Sequence, residues 1–104
     1  MASIFIGGTI NMLIEFDPEK RAATLANRGL DFADAPLIFD GDTFTWLDER
    51  VEYGEDRFIT MGLLRSRTVV LVWTWRQRAR RIISMRYANE KEVTLFKRSL
   101  GGRG

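Results

Sequence analysis

The run from Thr68 to Trp75 constrains the fold most, because Val69, Leu71, Trp73 and Trp75 occupy one parity and Val70, Val72 and Thr74 the other. Side chains alternate across an extended strand, so a segment apolar at both parities needs cover on both faces and belongs in the middle of a sheet. Three further segments, Thr43 to Leu47, Arg57 to Leu64 and Ala79 to Arg86, are rich in β-branched or aromatic residues and are joined by short polar connections. The pattern predicts an antiparallel meander.

Ahead of it, Met12, Leu13, Ile14 and Phe16 read as a short strand that ends at Asp17-Pro18. Asp17 can cap a helix and Pro18 take its first position, with the helix running through Ala22, Ala23 and Leu25 to about Arg28 before a left-handed stop at Gly29. Asp31 then caps a second short helix, whose apolar positions Phe32, Ala35 and Phe39 point one way and which Gly41 closes. Asn89 and Glu92 form a capping pattern for a last helix to about Ser99, followed by Gly101, Gly102 and Gly104. The expected class is α+β: an antiparallel sheet of four to six strands, two N-terminal helices packed on it and one C-terminal helix. A chain of 104 residues closes one such core and carries no second.

Charge is divided by position. Met1 to Thr60 holds 5 Lys+Arg against 12 Asp+Glu, whereas Met61 to Gly104 holds 11 against 2, and the overall net charge of +2 hides the split. A basic half built mostly of arginine, on alternating segments, suits a phosphate backbone, since the planar guanidinium donates two parallel hydrogen bonds to a phosphate. The other reading is that acidic and basic halves face each other in solvated salt bridges. The chain has no cysteine and no histidine. Disulfides, thiolate nucleophiles and cysteine zinc sites are thereby excluded, and acid-base chemistry must run without the side chain that titrates near neutrality. Apolar runs too short to cross a bilayer and a start without the charge of a secretion signal lead to the expectation of a soluble cytoplasmic protein.

The residues also spell a likeness. Phe16-Asp17-Pro18 with Lys20, then Leu25, Gly29 and Phe32, then Tyr53-Gly54-Glu55 with Arg57, then Gly62, and finally Arg81-Ile82-Ile83-Ser84 with Arg86 and Ala88, resemble the BrnT family of ribonuclease toxins. The resemblance spans about Met12 to Phe96, and the order of the blocks makes it specific. It implies a RelE-like toxin of a type II toxin-antitoxin system, which cleaves RNA without a cofactor and inhibits translation. It implies as partners an RNA substrate and a cognate BrnA-like antitoxin with a DNA-binding domain, operator DNA being reached only through the complex, and no membrane. On this basis residues 12–100 form one BrnT-like domain and 101–104 a flexible tail. Met1 to Asn11 make an N-terminal extension, either an added strand or the product of a start codon upstream of the natural Met12. The chain departs from the family pattern with Asn27-Arg28-Gly29 where Lys-His-Gly is usual, Thr24 for an asparagine and Phe96 for a tyrosine.

Metal-free cleavage of RNA needs the 2′-hydroxyl to lose a proton, the phosphate to bear extra negative charge and the 5′-oxygen to gain a proton. Arg57, Arg81 and Arg86 are the candidates for holding the phosphate, each in or at the end of a strand. Arg81 and Arg86 differ in parity, so a regular strand sends them to opposite faces and only a bend or an end position brings them together. A salt bridge to an acid such as Glu55 is an equally good reading of Arg81. Glu55 is expected to orient Arg57 or Arg81, and Lys20 and Tyr53 are candidates for proton traffic, Tyr53 being better explained by packing over a turn. Arg76, Arg78 and Arg80, with Arg81 around a hairpin turn, carry the strongest nonspecific nucleic-acid signal, although arginines at turns are commonly just exposed.

Asp40-Gly-Asp42 and the run Asp48, Glu49, Glu52, Glu55 and Asp56 lack the spacing of a calcium loop and read as solvated faces. Trp73 and Trp75 read as core rather than as a base-stacking platform. Three functions follow: an RNA-cleaving toxin, an antitoxin-binding partner whose nuclease has weakened and which acts in operon autoregulation, and a non-catalytic RNA-binding module. An antitoxin is expected to cover the arginines with an acidic segment, or to add a strand at an open sheet edge.

Overall fold

A computed structural model describes residues 3–7 and 12–101; the expectations for the rest of the N-terminal extension and for residues 102–104 of the tail lie outside them. Among the described residues six strands form one sheet: β1 (Ser3–Gly7), β2 (Met12–Phe16), β3 (Thr43–Leu47), β4 (Phe58–Leu64), β5 (Arg67–Arg76) and β6 (Ala79–Tyr87), in the order β1-β2-β6-β5-β4-β3. β5 lies inside the sheet, as its two apolar parities require. β1, drawn from the N-terminal extension, pairs antiparallel with β2. Every neighbouring pair is antiparallel except β2 and β6, which run parallel through Ile14 with Arg80 and Glu15 with Arg81. The expected all-antiparallel arrangement is therefore corrected to a mixed sheet, because the chain leaves β2 through helices and returns beside it only after the whole meander.

Helix α1 (Pro18–Arg28) starts as its residues dictate: the Asp17 carboxylate accepts the Glu19 N–H, and Gly29, at φ 70°, donates its N–H to the Leu25 carbonyl. No α1 residue is buried. The helix is held by polar ties: the Arg21 guanidinium donates to both Asp31 oxygens at 2.7 and 3.0 Å, and Arg28 donates to the Met85 carbonyl of β6 at 2.9 Å. β2 pairs with β6 only at Arg80 and Arg81, so the rest of β6 is free to meet α1. The second helix is a 3₁₀ turn (Phe32–Asp34), capped by Asp31, that runs into α2 (Ala35–Asp40). Helix α3 (Glu90–Gly101) opens with the expected reciprocal cap, Asn89 N–H to Glu92 Oε1 at 2.9 Å and Glu92 N–H to Asn89 Oδ1 at 2.8 Å, and runs past Ser99.

Each face of the sheet carries its own core. Ile14, Phe16, Val69, Leu71, Trp73, Ile82 and Met85 meet Phe32, Ala35 and Ile38 on the α2 face. On the α3 face the smaller cluster is Ile59, Met61, Val70 and Phe96, with Phe44 and Trp46 against it. Gly62 shows how closely α2 sits: a β-carbon there would lie 2.7 Å from Ile38 Cγ2. Trp73 is core, as expected, and its indole N–H donates to Thr60 Oγ1 at 2.8 Å. Trp75, expected to share that fate, is 47% exposed because the strand runs out beyond α2.

β6 is not a regular strand. Val72 faces Ser84 but Trp73 faces Ile82, so Ile83 is an extra residue on β6, a β-bulge. The bulge shifts the parity of everything before it relative to everything after it.

Candidate functional site

Through that bulge Arg81 and Arg86 share a face of the sheet. Arg86 pairs with Val70 and Ser84 with Val72, both on the α3 face, and before the bulge Arg81 pairs with Thr74, which has the same parity in β5 as Val70 and Val72. The opposite-face expectation for a regular strand thus gives way to the bend it allowed for. Arg76 follows Thr74 on the same parity, and Arg57 joins it through Glu55, which both arginines bind.

Each of these cations holds a carboxylate. Arg86 makes a two-pronged pair with Glu92, both bonds 2.7 Å long. Arg81 donates to Glu15 at 2.6 Å rather than to Glu55, since Glu15 is its register partner on β2. Arg57 donates to Glu55 at 3.2 Å and Arg76 to the other Glu55 oxygen. Arg50, absent from the sequence-derived candidates because it stands in an acidic run, pairs with Asp48 at 2.8 Å. It is close enough for its charge to oppose that of Arg86. Five arginines thus share four carboxylates on this side of the molecule.

The ionisation equilibria follow from these pairs. Hydrogen bonds from Arg86 hold Glu92 below the usual carboxylate range, and those from Arg76 and then Arg57 do the same to Glu55. Glu55 is accordingly a weak base and a good orienting group. Asp48, expected in a solvated turn, is only 5% exposed, and hydrogen bonds from Arg50 are the main cause of its pKa of about 2. Tyr53 packs as the turn requires: its ring lies 4.0 Å under the Arg57 guanidinium and its hydroxyl donates to Asp48 at 3.4 Å.

Hollows border this surface. Lys20, exposed on α1, shares one of about 350 Å³ with Thr24, Asn27, Arg28, Ile83 and Ser84. Arg28 and Ser84, which line it, are not among the sequence-derived candidates. Another, of about 300 Å³, brings Arg76 and Arg78 beside Glu15 and Leu13 at the β5–β6 turn. Arg80 does not join them. It pairs with Trp75, so its side chain lies on the α2 face, among aromatic rings. Phe96, where a tyrosine is usual, is the buried residue of α3 and packs on Ile59, Met61 and Val70.

Among the described residues no three acidic side chains gather as metal ligands. No helix among them is long and apolar enough to cross a membrane. The guanidinium groups are paired with partly buried carboxylates, and a guanidinium fork has the geometry to meet either a carboxylate or a phosphate.

No curated protein matches the chain. Residues 16–92 match the family model described as ribonuclease toxin, BrnT, of type II toxin-antitoxin system. The match takes in the arginine-bearing strands, the turn with Tyr53 and Glu55 and the cap of α3, and on it the chain belongs to the BrnT family of type II toxin-antitoxin ribonuclease toxins.

Proposed function

We propose that this chain is a RelE-like endoribonuclease toxin that cuts RNA without a metal ion, inhibits translation in the cytoplasm and is neutralised by a cognate antitoxin carrying a DNA-binding domain. One observation supports it above the others: the bulge at Ile83 aligns Arg81 and Arg86 on the sheet face to which Arg76 also belongs. On this reading the scissile phosphate displaces Glu92 from Arg86. Arg81 and Arg57 stabilise the charge that grows on the phosphate oxygens, and Arg76 and Arg78 hold the flanking backbone. The 2′-hydroxyl gives its proton to solvent water as its oxygen bonds to phosphorus and the bond to the 5′-oxygen breaks, which gives a 2′,3′-cyclic phosphate and a 5′-hydroxyl. Lys20 donates the proton the 5′-oxygen takes up, while Glu55 keeps Arg57 and Arg76 aimed and Tyr53 supports Arg57 from below. The purified chain should yield these ends from RNA, and Arg86→Ala should slow cleavage by about 10²–10³-fold. Intact RNA with the folded wild-type chain refutes the reading.

A second reading is favoured by one contact. Arg28, at the usual histidine position, uses its guanidinium on the Met85 carbonyl. This chain is then a weakened nuclease that acts through antitoxin binding and operon autoregulation, with operator DNA reached through the complex. It predicts tight antitoxin binding with slow cleavage that Arg28→His accelerates. Cleavage that Arg28→His leaves unchanged or slows would exclude it.

A further inference from the structure

Arg80 is set apart from the arginines of the α3 face. The rings of Phe39, Trp73 and Trp75 surround its guanidinium, with centroids 4.7, 5.3 and 5.0 Å away. Its Nε is buried and has no hydrogen-bond partner, and among the described residues no carboxylate forms a salt bridge with it. Burial lowers its pKa, with no opposing carboxylate contribution. A cation on an aromatic bed gains from the ring quadrupoles, yet a guanidinium fork is built to meet an anion.

The surroundings extend this into a surface. Leu47, Phe58 and Trp73 lie side by side across β3, β4 and β5, and Phe58 stacks on Trp73 at 4.8 Å. Trp75 packs edge-on against Trp73 but remains 47% exposed, and Leu47 is 41% exposed on β3, the outermost strand on that side. An exposed tryptophan, an aromatic row and a half-buried arginine without its anion have the composition of a protein-interface core. Nucleic acid fits less well. A phosphate strand asks for several solvated cations in line, whereas here one cation is set among rings.

We propose that this patch, on the face opposite the arginine and carboxylate pairs, is where the antitoxin docks, bringing an acidic side chain flanked by apolar residues against Arg80. The inference rests on the toxin reading for the partner's existence but not on the nuclease chemistry. It makes antitoxin grip and RNA contact separable, since they use different faces of one sheet.

The test titrates the cognate antitoxin into the wild-type chain and into the Arg80→Met, Trp75→Ala and Arg86→Ala variants, with circular dichroism as the check on folding. Arg80→Met and Trp75→Ala should each weaken the complex by about tenfold or more, and Arg86→Ala should bind as wild type does. Tryptophan emission should shift to the blue on complex formation, and that shift should shrink in Trp75→Phe. If Arg80→Met fails to fold, Trp75→Ala decides, its side chain being half in solvent. Unchanged antitoxin affinity in the folded variants overturns the proposal. So does a loss of RNA affinity with antitoxin affinity intact, which would make the patch a base-stacking surface. A wild-type chain that leaves RNA uncut while the Arg80 and Trp75 variants release the antitoxin refutes the nuclease reading alone.

Discussion

The two faces of the sheet solve different problems with the same strands. The α2 face gathers a long apolar cluster from β2, β4, β5, β6 and the 3₁₀ turn, whereas the α3 face buries a few side chains under one end of α3 and gives the rest of its area to charge pairs. Burial scales with apolar area, so folding free energy is concentrated on the first face. The second is held mainly by charge pairs rather than by apolar packing. A face that holds the fold together and a face that stays chemically available are thus kept apart by one layer of backbone.

The largest effect expected from this contrast is on stability. Phe32→Ala, at a fully buried ring that meets Phe16 edge-on at 6.1 Å, should cost about 3–5 kcal/mol in denaturant unfolding, whereas Arg81→Ala, which leaves Glu15 without its partner, should cost less, about 1–3 kcal/mol. Equal losses would break the comparison. Next in size is Gly62→Ala, which drives a methyl against Ile38 and Thr43 Cγ2 and should cost about 1–3 kcal/mol, read as a lower midpoint of thermal unfolding. A neutral result would mean that α2 can shift off the sheet. Smaller again is the acid response of the charged side. Asp48 has a folded pKa of about 2, below the unfolded value of about 3.9, so its contribution is fully present above the unfolded value and fades as pH falls through the folded one. Glu55 and Glu92 shift in the same direction. Asp48→Asn should flatten the fall in thermal midpoint between about pH 4 and 2, and an unchanged profile would place the acid sensitivity elsewhere.

Much of this was legible in the sequence, and what was not has a physical cause. The double parity of β5, the Asp17-Pro18 start and Gly29 stop of α1, and the Asn89 and Glu92 cap are local signals, and each produced the expected element. The parallel pairing of β2 with β6 depends on where the chain returns after the meander, which no local pattern encodes. The bulge at Ile83 inserts one residue into an otherwise ordinary alternation, so counting parity sent Arg81 and Arg86 to opposite faces. Arg80 and Asp48 read as exposed at turns, yet one enters an aromatic cage and the other a buried pair with Arg50, because their surroundings come from distant strands and a loop. Arg50 was hidden by its acidic neighbours.

The central claim is that RNA phosphates meet the α3-side arginines and not Arg80. The affinity of a 2′-O-methyl RNA oligonucleotide, measured as a function of salt, tests it most directly. The slope of log K against log salt should become shallower by about 0.7 for each phosphate that Arg81→Ala or Arg86→Ala leaves without its cation, and stay as in wild type in Arg80→Met. A slope that flattens in Arg80→Met and holds in the other two would contradict it.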